Sequence, residues 1–305
     1  LNETLIDGTM IIKNSKNTIW QNGNLTINGD YSLINSTLRM NGTSYDGSLG
    51  ILVNTTGNMI IRDNSNITNG QNITNKYFFI VSFGSNFSMN YSSLSFAGWA
   101  DVFGQRGLDI NTTVKEFRGN TIANNYRGVV LYADNNSIEN NTFLNNSDIG
   151  IYIYSKNNTI NKNLVMYSGI GVRLIDLTAT NNTLSNNTIF KNGNGILLQS
   201  GNNNLDSNNI TYSSNLGIYT ISLSELIQNV VIYNNIIEHN TGGGIGQAVS
   251  GYSGLLNSLI KKNMINNNSI GIYARSLFVN NLFQDNIMNN TPWDISFDDG
   301  SSSTN

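Results

Sequence analysis

Residues Asn135 to Ser155 read NNSIENNTFLNNSDIGIYIYS, and with small changes the same stretch recurs as far as residue 297. Its template is I-x-x-N-x-I-x-x-N, then glycine and a short apolar strand. The first apolar position is filled by Phe117, Ile138, Ile160, Leu184, Leu205, Ile232, Ile260 and Leu282. Five residues later come Ile122, Phe143, Val165, Ile189, Ile210, Ile237, Ile265 and Ile287. The first polar column is Asn120, Asn141, Asn163, Asn187, Asn208, Asn235 and Asn263, ending in Asp285. The second is Asn125, Asn146, Ser168, Asn192, Ser213, Asn240, Asn268 and Asn290. Then follow Gly128, Gly150, Gly171, Gly195, Gly217, Gly244 and Gly271, with Asp294 in the last repeat.

A period of roughly 21 to 28 residues is that of a solenoid. Each unit holds short alternating segments and no apolar spacing of three and four, so it is a coil of strands and not a helix pair. Coils stacked at about 4.8 Å set like residues over like, so the apolar columns fill the bore. The asparagine columns fall at the turns, where amides can bond to the coils on either side. Each buried polar group left unsatisfied there would cost about 1 to 3 kcal/mol. Glycine is expected to supply the backbone freedom of a sharp corner. The fold expected is all-β, a single-stranded right-handed parallel β-helix of about a dozen coils.

These columns resemble the right-handed parallel β-helix family of carbohydrate-binding and sugar-hydrolase repeats, which includes NosD-type periplasmic proteins. The likeness is strong over residues 114–297 and weaker before them. It implies the pectin-lyase-like fold, and functions that range from polysaccharide cleavage to scaffolding.

Only 11% of residues are charged and the formal net charge is -3, with Lys and Arg scattered, which argues against nucleic acid as a partner. There are no cysteines, so neither a disulfide framework nor a thiolate metal site exists. No cofactor is expected. No stretch is long enough to span a membrane, and a start at Leu1 without a leader reads as a processed chain. Asparagine makes up roughly a fifth of the residues. Before residue 114, ten of 18 asparagines stand in Asn-x-Ser/Thr, against roughly four expected by chance. They are Asn2, Asn24, Asn35, Asn41, Asn54, Asn66, Asn72, Asn86, Asn90 and Asn111, and the excess points to glycosylation and an extracellular or cell-surface place.

The chain reads as one continuous domain. Residues 1–30 are an N-terminal cap or first coil, 31–113 a β-helix of long coils, 114–297 tight Asn-ladder coils, and 298–305 a flexible tail. The excess length of the early coils must lie in loops such as 42–49 and 97–106, and one-sided loops are where solenoids carry function.

Alternation in the glycine-led strands points Asp109, Tyr152, Arg173, Leu197, Tyr219 and Tyr273 outward. Of these only Asp109 and Arg173 could catalyse, and three coils, roughly 14 Å, separate them. The single histidine, His239, has no second histidine for a metal site and reads as solvent-facing. Tyr152, Arg173, Leu197, Tyr219 and Tyr273 remain as a sugar-binding or assembly face. With no catalytic constellation in view, the expectation is a non-enzymatic extracellular structural protein. It would be a glycosylated rod that self-associates into a surface layer, sheath or filament. The alternative is a carbohydrate-binding or polysaccharide-degrading β-helix.

Overall fold

The computed structural model describes residues 3–42, 45–70, 75–175, 177–222, 227–247, 254–274 and 279–297. The chain is an all-β parallel solenoid of about 11 turns, with no helix among the described residues. Its internal contacts divide it into two compact units, Leu1–Ile151 and Tyr152–Asn305.

Each coil of the first unit contributes one strand to each of three parallel faces. On the first face Thr4–Ile6, Leu25–Ile27, Gly50–Val53, Phe78–Val81, Leu108–Ile110 and Arg127–Leu131 follow one another. The first coil is complete before Leu25, with Thr4 paired to Leu25 and Met10 to Tyr31 of the coil that follows. The bore is built from in-register apolar columns such as Leu25, Ile51, Phe79, Leu108 and Val129, all at most 1% exposed. Alternating β-branched and aromatic residues favour this pleated, close-packed arrangement over any helix. On another face, the column that Met40 occupies in the second coil is polar in the first. Gln21, fully buried, donates to Thr4 and to the carbonyls of Gly23 and Asn24, so its amide is satisfied inside the bore.

The second unit repeats the plan more tightly. One column runs Ile160, Leu184, Leu205, Ile232 and Ile260, another Val165, Ile189, Ile210, Ile237 and Ile265. In the last coil the register differs by one residue from the repeat expected. Ile260 pairs with Phe283 and Ile265 with Met288, so Leu282 and Ile287 point outward. Asn286, not Asp285, completes the first polar column.

The corners also differ from expectation. The residues in left-handed conformation are not the column glycines but the residues just before the ladder positions. Asn140, Lys162, Asn186, Ser207, Asn234, Lys262 and Asp285 all have φ between 50° and 61°. Asparagine tolerates that region better than other side chains, which accounts for the many Asn-Asn doublets: the first turns the chain and the second bonds the coils. The column glycines serve close packing instead. A Cβ on Gly171 would lie 2.5 Å from the Gly195 carbonyl oxygen and 2.7 Å from Ile189 Cγ2.

Candidate functional site

The ladder residues are joined across coils. In the second unit Asn187 Oδ1 accepts from the Asn163 amide at 2.9 Å, and its Nδ2 donates to the Ile160 carbonyl at 2.8 Å and to Asn208 Oδ1 at 2.9 Å. Asn208, Asn235 and Asn263 continue the pattern, as do Asn240, Asn268 and Asn290 on the second column. The Ser168 amide donates to Asn192. In the first unit Asn120 bonds to Asn141 and Asn125 to Asn146. A third ladder, unremarked in the sequence because it lies between the glycine-led strand and the first apolar column, joins Asn158, Asn182 and Asn203, and Asn136 holds Val114. All these amides have their bonding capacity engaged within the fold, which leaves little to offer a ligand.

The tyrosine column is not the open face expected. Tyr152 is 1% exposed and Leu197 is buried too, while Arg173, Tyr219 and Tyr273 are half-buried. Tyr154 lies 4.5 Å from the Tyr152 ring, its hydroxyl donating to that of Tyr152, and the Arg173 guanidinium sits over the same ring at 5.2 Å. Simple alternation missed this because it gives the direction of a side chain and not how closely its neighbours, here Tyr154 and Arg173, lie against it. His239 stacks on Tyr212 at 4.8 Å.

Among the described sequon residues only Asn35 and Asn86 are exposed. Asn24 accepts from the Gly50 amide, Asn54 donates to Asn28, Asn66 accepts from Ser93, and Asn90 donates to Glu116. Asn41 donates to Asn22, and Asn111 is half-buried. Asn2 and Asn72 lie outside the described residues.

Asp109, expected to point into solvent, is 1% exposed. Segment 97–107 folds back over the outer side of the first face and covers it. The Gly104 amide donates to Asp109 Oδ2 at 2.6 Å, whereas Oδ1 is buried without a hydrogen-bond partner. Asp101 of the same segment takes two guanidinium contacts, from Arg106 Nε and Arg127, each at 2.9 Å. Arg127, at the start of Arg127–Leu131 and 1% exposed, also pairs with Asp148 at 2.6 Å. Arg106 reaches the Tyr132 hydroxyl, and Tyr132 packs edge-on against Phe103 at 5.3 Å.

Burial raises the Asp109 pKa, the Gly104 amide and the charges of Arg106 and Arg127 pull it back, and it settles at about 6. Burial acts the same way on Asp101, but the hydrogen bonds and charges of Arg127 and Arg106 outweigh it and hold that carboxyl below its ordinary value. Burial alone would lower the Arg127 pKa, and hydrogen bonds to Asp101 and Asp148 raise it instead, so it stays charged. Beside the cluster opens a cleft of about 550 Å³ lined by Phe83, Asn111, Thr112, Thr113, Tyr132 and Asp134 among others. Phe83 is 73% exposed. Tyr132 belongs to both, its ring in the cleft and its hydroxyl on Arg106.

The sequence placed Asp109 and Arg173 three coils apart and found no active constellation. In the structure Asp109 has the Gly104 amide of a loop as its hydrogen-bond donor and feels the charge of Arg127 in the next coil, and Arg173 is not among its neighbours in charge. Two signals were legible. Asp101 and Arg106 lie in an over-long loop of a chain poor in charge, and Arg127 stands before a column glycine where later repeats have Ile149, Ile170, Asn194 and Leu216.

The right handed beta helix region family matches residues 25–205 and 174–304, and the chain belongs to that family. No curated protein matches it. Among solved structures it is similar to the periplasmic alginate epimerase AlgG, at 14% identity and TM-score 0.69 over 94% of this chain and 77% of that one. The A-module of mannuronan C-5 epimerase AlgE6 of Azotobacter vinelandii follows at 16% identity and TM-score 0.54, covering 94% and 81%. The Dettilon tailspike protein gp208 matches at 13% identity and TM-score 0.55, covering 93% and 62%. These neighbours include polysaccharide-modifying enzymes. The expectation of a non-enzymatic surface-layer or filament subunit is therefore overturned, since the proteins that share this fold include alginate and mannuronan epimerases.

Proposed function

We propose that this protein is carbohydrate-active, binding a polymeric glycan outside the cytoplasm along the first face of the unit Leu1–Ile151 and modifying it there. The observation that carries this reading is Tyr132, which joins an open cleft of exposed aromatic, amide and hydroxyl groups to a covered cluster of Asp109, Arg106, Arg127 and Asp101. Ligand sites combine apolar walls with a few placed polar groups in this way. Phe83 and Tyr132 offer aromatic rings to the faces of a sugar, and Asn111, Thr112 and Thr113 offer donors and acceptors to its hydroxyls. A carboxyl with a pKa of about 6 is poised to hold or give a proton near neutral pH.

The names of the solved neighbours support a polysaccharide as the substrate class. Balanced charge in the cluster, two arginines against Asp101 and Asp148, favours a polymer of low charge density. The test is a glycan array of neutral and acidic polymers, alginate and mannuronan included, followed by analysis of chain length and sugar configuration in the polymers retained. Binding that weakens at least about tenfold in Phe83→Ala and Tyr132→Ala is the expected result, as for loss of a central contact. Retention of no polymer by the wild-type chain would overturn the proposal.

A further inference from the structure

Asp109 presents an unusual combination: a carboxylate 1% exposed, one oxygen bonded to a loop amide and the other buried without a partner. An unsatisfied buried carboxylate oxygen costs stability, so its persistence asks for a use. What covers it is a single chain segment. Residues 97–107 close on themselves, with the Trp99 and Ala100 amides donating to the Gln105 carbonyl and the Gln105 amide to Val102. At the ends they are anchored to the sheet by Gly98 to Tyr77 and by Arg127 to Arg106 backbone bonds. Between those anchors, the described polar tethers to the face are Gly104 to Asp109, Asp101 to Arg127 and Arg106 to the Tyr132 hydroxyl, while Asp101 also holds Arg106 within the segment. Gly98, at φ +73°, sits at one end of the segment, and its tip exposes Val102 and Phe103, both more than half accessible.

We propose that segment 97–107 is a strap over a closed compartment of the glycan site, and that Asp109 Oδ1 accepts a hydrogen bond from a sugar hydroxyl once the strap lifts. This rests on the carbohydrate reading above. Lifting the strap hydrates Asp109 and exposes Arg106 and Arg127 beside it, giving a carboxylate flanked by two donors at the edge of the Tyr132 cleft. That set suits a polyhydroxylated ligand, whose hydroxyls donate to Asp109 and accept from the guanidinium groups. The charged and titratable groups facing Asp109 are Arg106 from the strap and Arg127 from the next strand, with Asp101, Asp148 and Tyr132 bonded to them in turn. Since burial is what raises the Asp109 pKa, the closed strap favours the protonated acid and the open strap the carboxylate. Raising the pH through about 6 therefore loosens the strap.

Asp101→Asn tests the strap without a ligand. It removes the charged tether but leaves Arg127 paired with Asp148, so the fold is expected to survive. Hydrogen exchange of the full chain should show the amides of 97–107 exchanging at least about tenfold faster in the variant, while Phe78–Val81 stays protected. Equal protection in both proteins would overturn the strap. In the second arm, oligomers of glucan, mannan and galactan are titrated into wild type, Asp101→Asn and Asp101→Asn with Asp109→Asn. The Asp109→Asn change keeps the side-chain shape and removes the carboxylate acceptor, and a melting curve shows that the double variant is folded. Tighter binding on strap release, lost again in the double variant, is the expected result, and unchanged binding in the double variant overturns the acceptor role. Binding in none of the three overturns the carbohydrate reading, whatever the exchange experiment shows of the strap.

Discussion

A single asparagine type does two jobs at adjacent positions in this chain. Asn186 turns the corner at φ 54°, and Asn187 then ties three coils together through its amide. Asn187→Ala takes the acceptor from the backbone and side-chain amides of Asn163 and a donor from the Ile160 carbonyl, while Asn208 Oδ1 keeps the bond from the backbone N–H of residue 187. The expected loss is about 1 to 3 kcal/mol in a denaturant melt, and an unchanged midpoint would count against the ladder as a source of stability. Asp109 gives the opposite sign. Its pKa is raised from 3.8 to about 6, so the folded chain holds the proton more tightly than the unfolded one. That contribution is full below about pH 3.8 and is lost as the pH rises through about 6, about 3 kcal/mol in all. Asp109→Asn should therefore melt higher than wild type above about pH 6 and converge with it in acid, which thermal melts across the pH range will check. Surface chemistry at this scale favours one of the sequons. We propose Asn86 as the occupied site, because it is exposed, whereas the side chains of Asn24, Asn35, Asn54 and Asn66 are bonded to neighbouring coils. Glycopeptide mass spectrometry of native protein showing it bare would remove the idea.

At the level of the coil, the column glycines are where a small change has the largest effect. Gly171→Ala drives a methyl against the Gly195 carbonyl and Ile189, both under 3 Å away, and the shift needed should cost about 1 to 3 kcal/mol. Gly8→Ala, with nothing within 4 Å, is the control and should fall within about 0.5 kcal/mol of wild type. The strand columns were legible in the sequence because their apolar period is long, regular and enforced by stacking. The third ladder and the left-handed corners were hidden by their own chemistry, since Asn serves both roles and the doublets blur which is which. The last coil slipped by one because Leu282 and Phe283 are both apolar, and only pairing tells them apart. The site was least legible. Its parts lie in a strand, an over-long loop and the next coil, and strand alternation carries no information on how a loop folds across a face.

Across the whole molecule the sparse charge limits what ligand the site can hold. Sixteen basic residues against 19 acidic ones leave no excess to attract a polyanion, and the two arginines nearest the cleft are each occupied by carboxylates. A ligand that binds by displacing counterions loses affinity steeply with salt, in proportion to the charges neutralised. One held by ring stacking and neutral hydrogen bonds does not, since screening acts on exposed charges and barely on dipoles in contact. For the glycan retained on the array, affinity should change by less than about twofold between about 50 and 200 mM salt. A loss of tenfold or more over that range would mean that Arg106 and Arg127 leave Asp101 and Asp148 to meet an anionic polymer. In that event Asp101→Asn should strengthen binding most at low salt, because the competing carboxylate is gone. Isothermal titration at the two salt concentrations, on wild type and on Asp101→Asn, separates the two modes. A neutral ligand gives parallel, flat salt responses in both proteins, while a polyanion gives a steep one that the substitution steepens further.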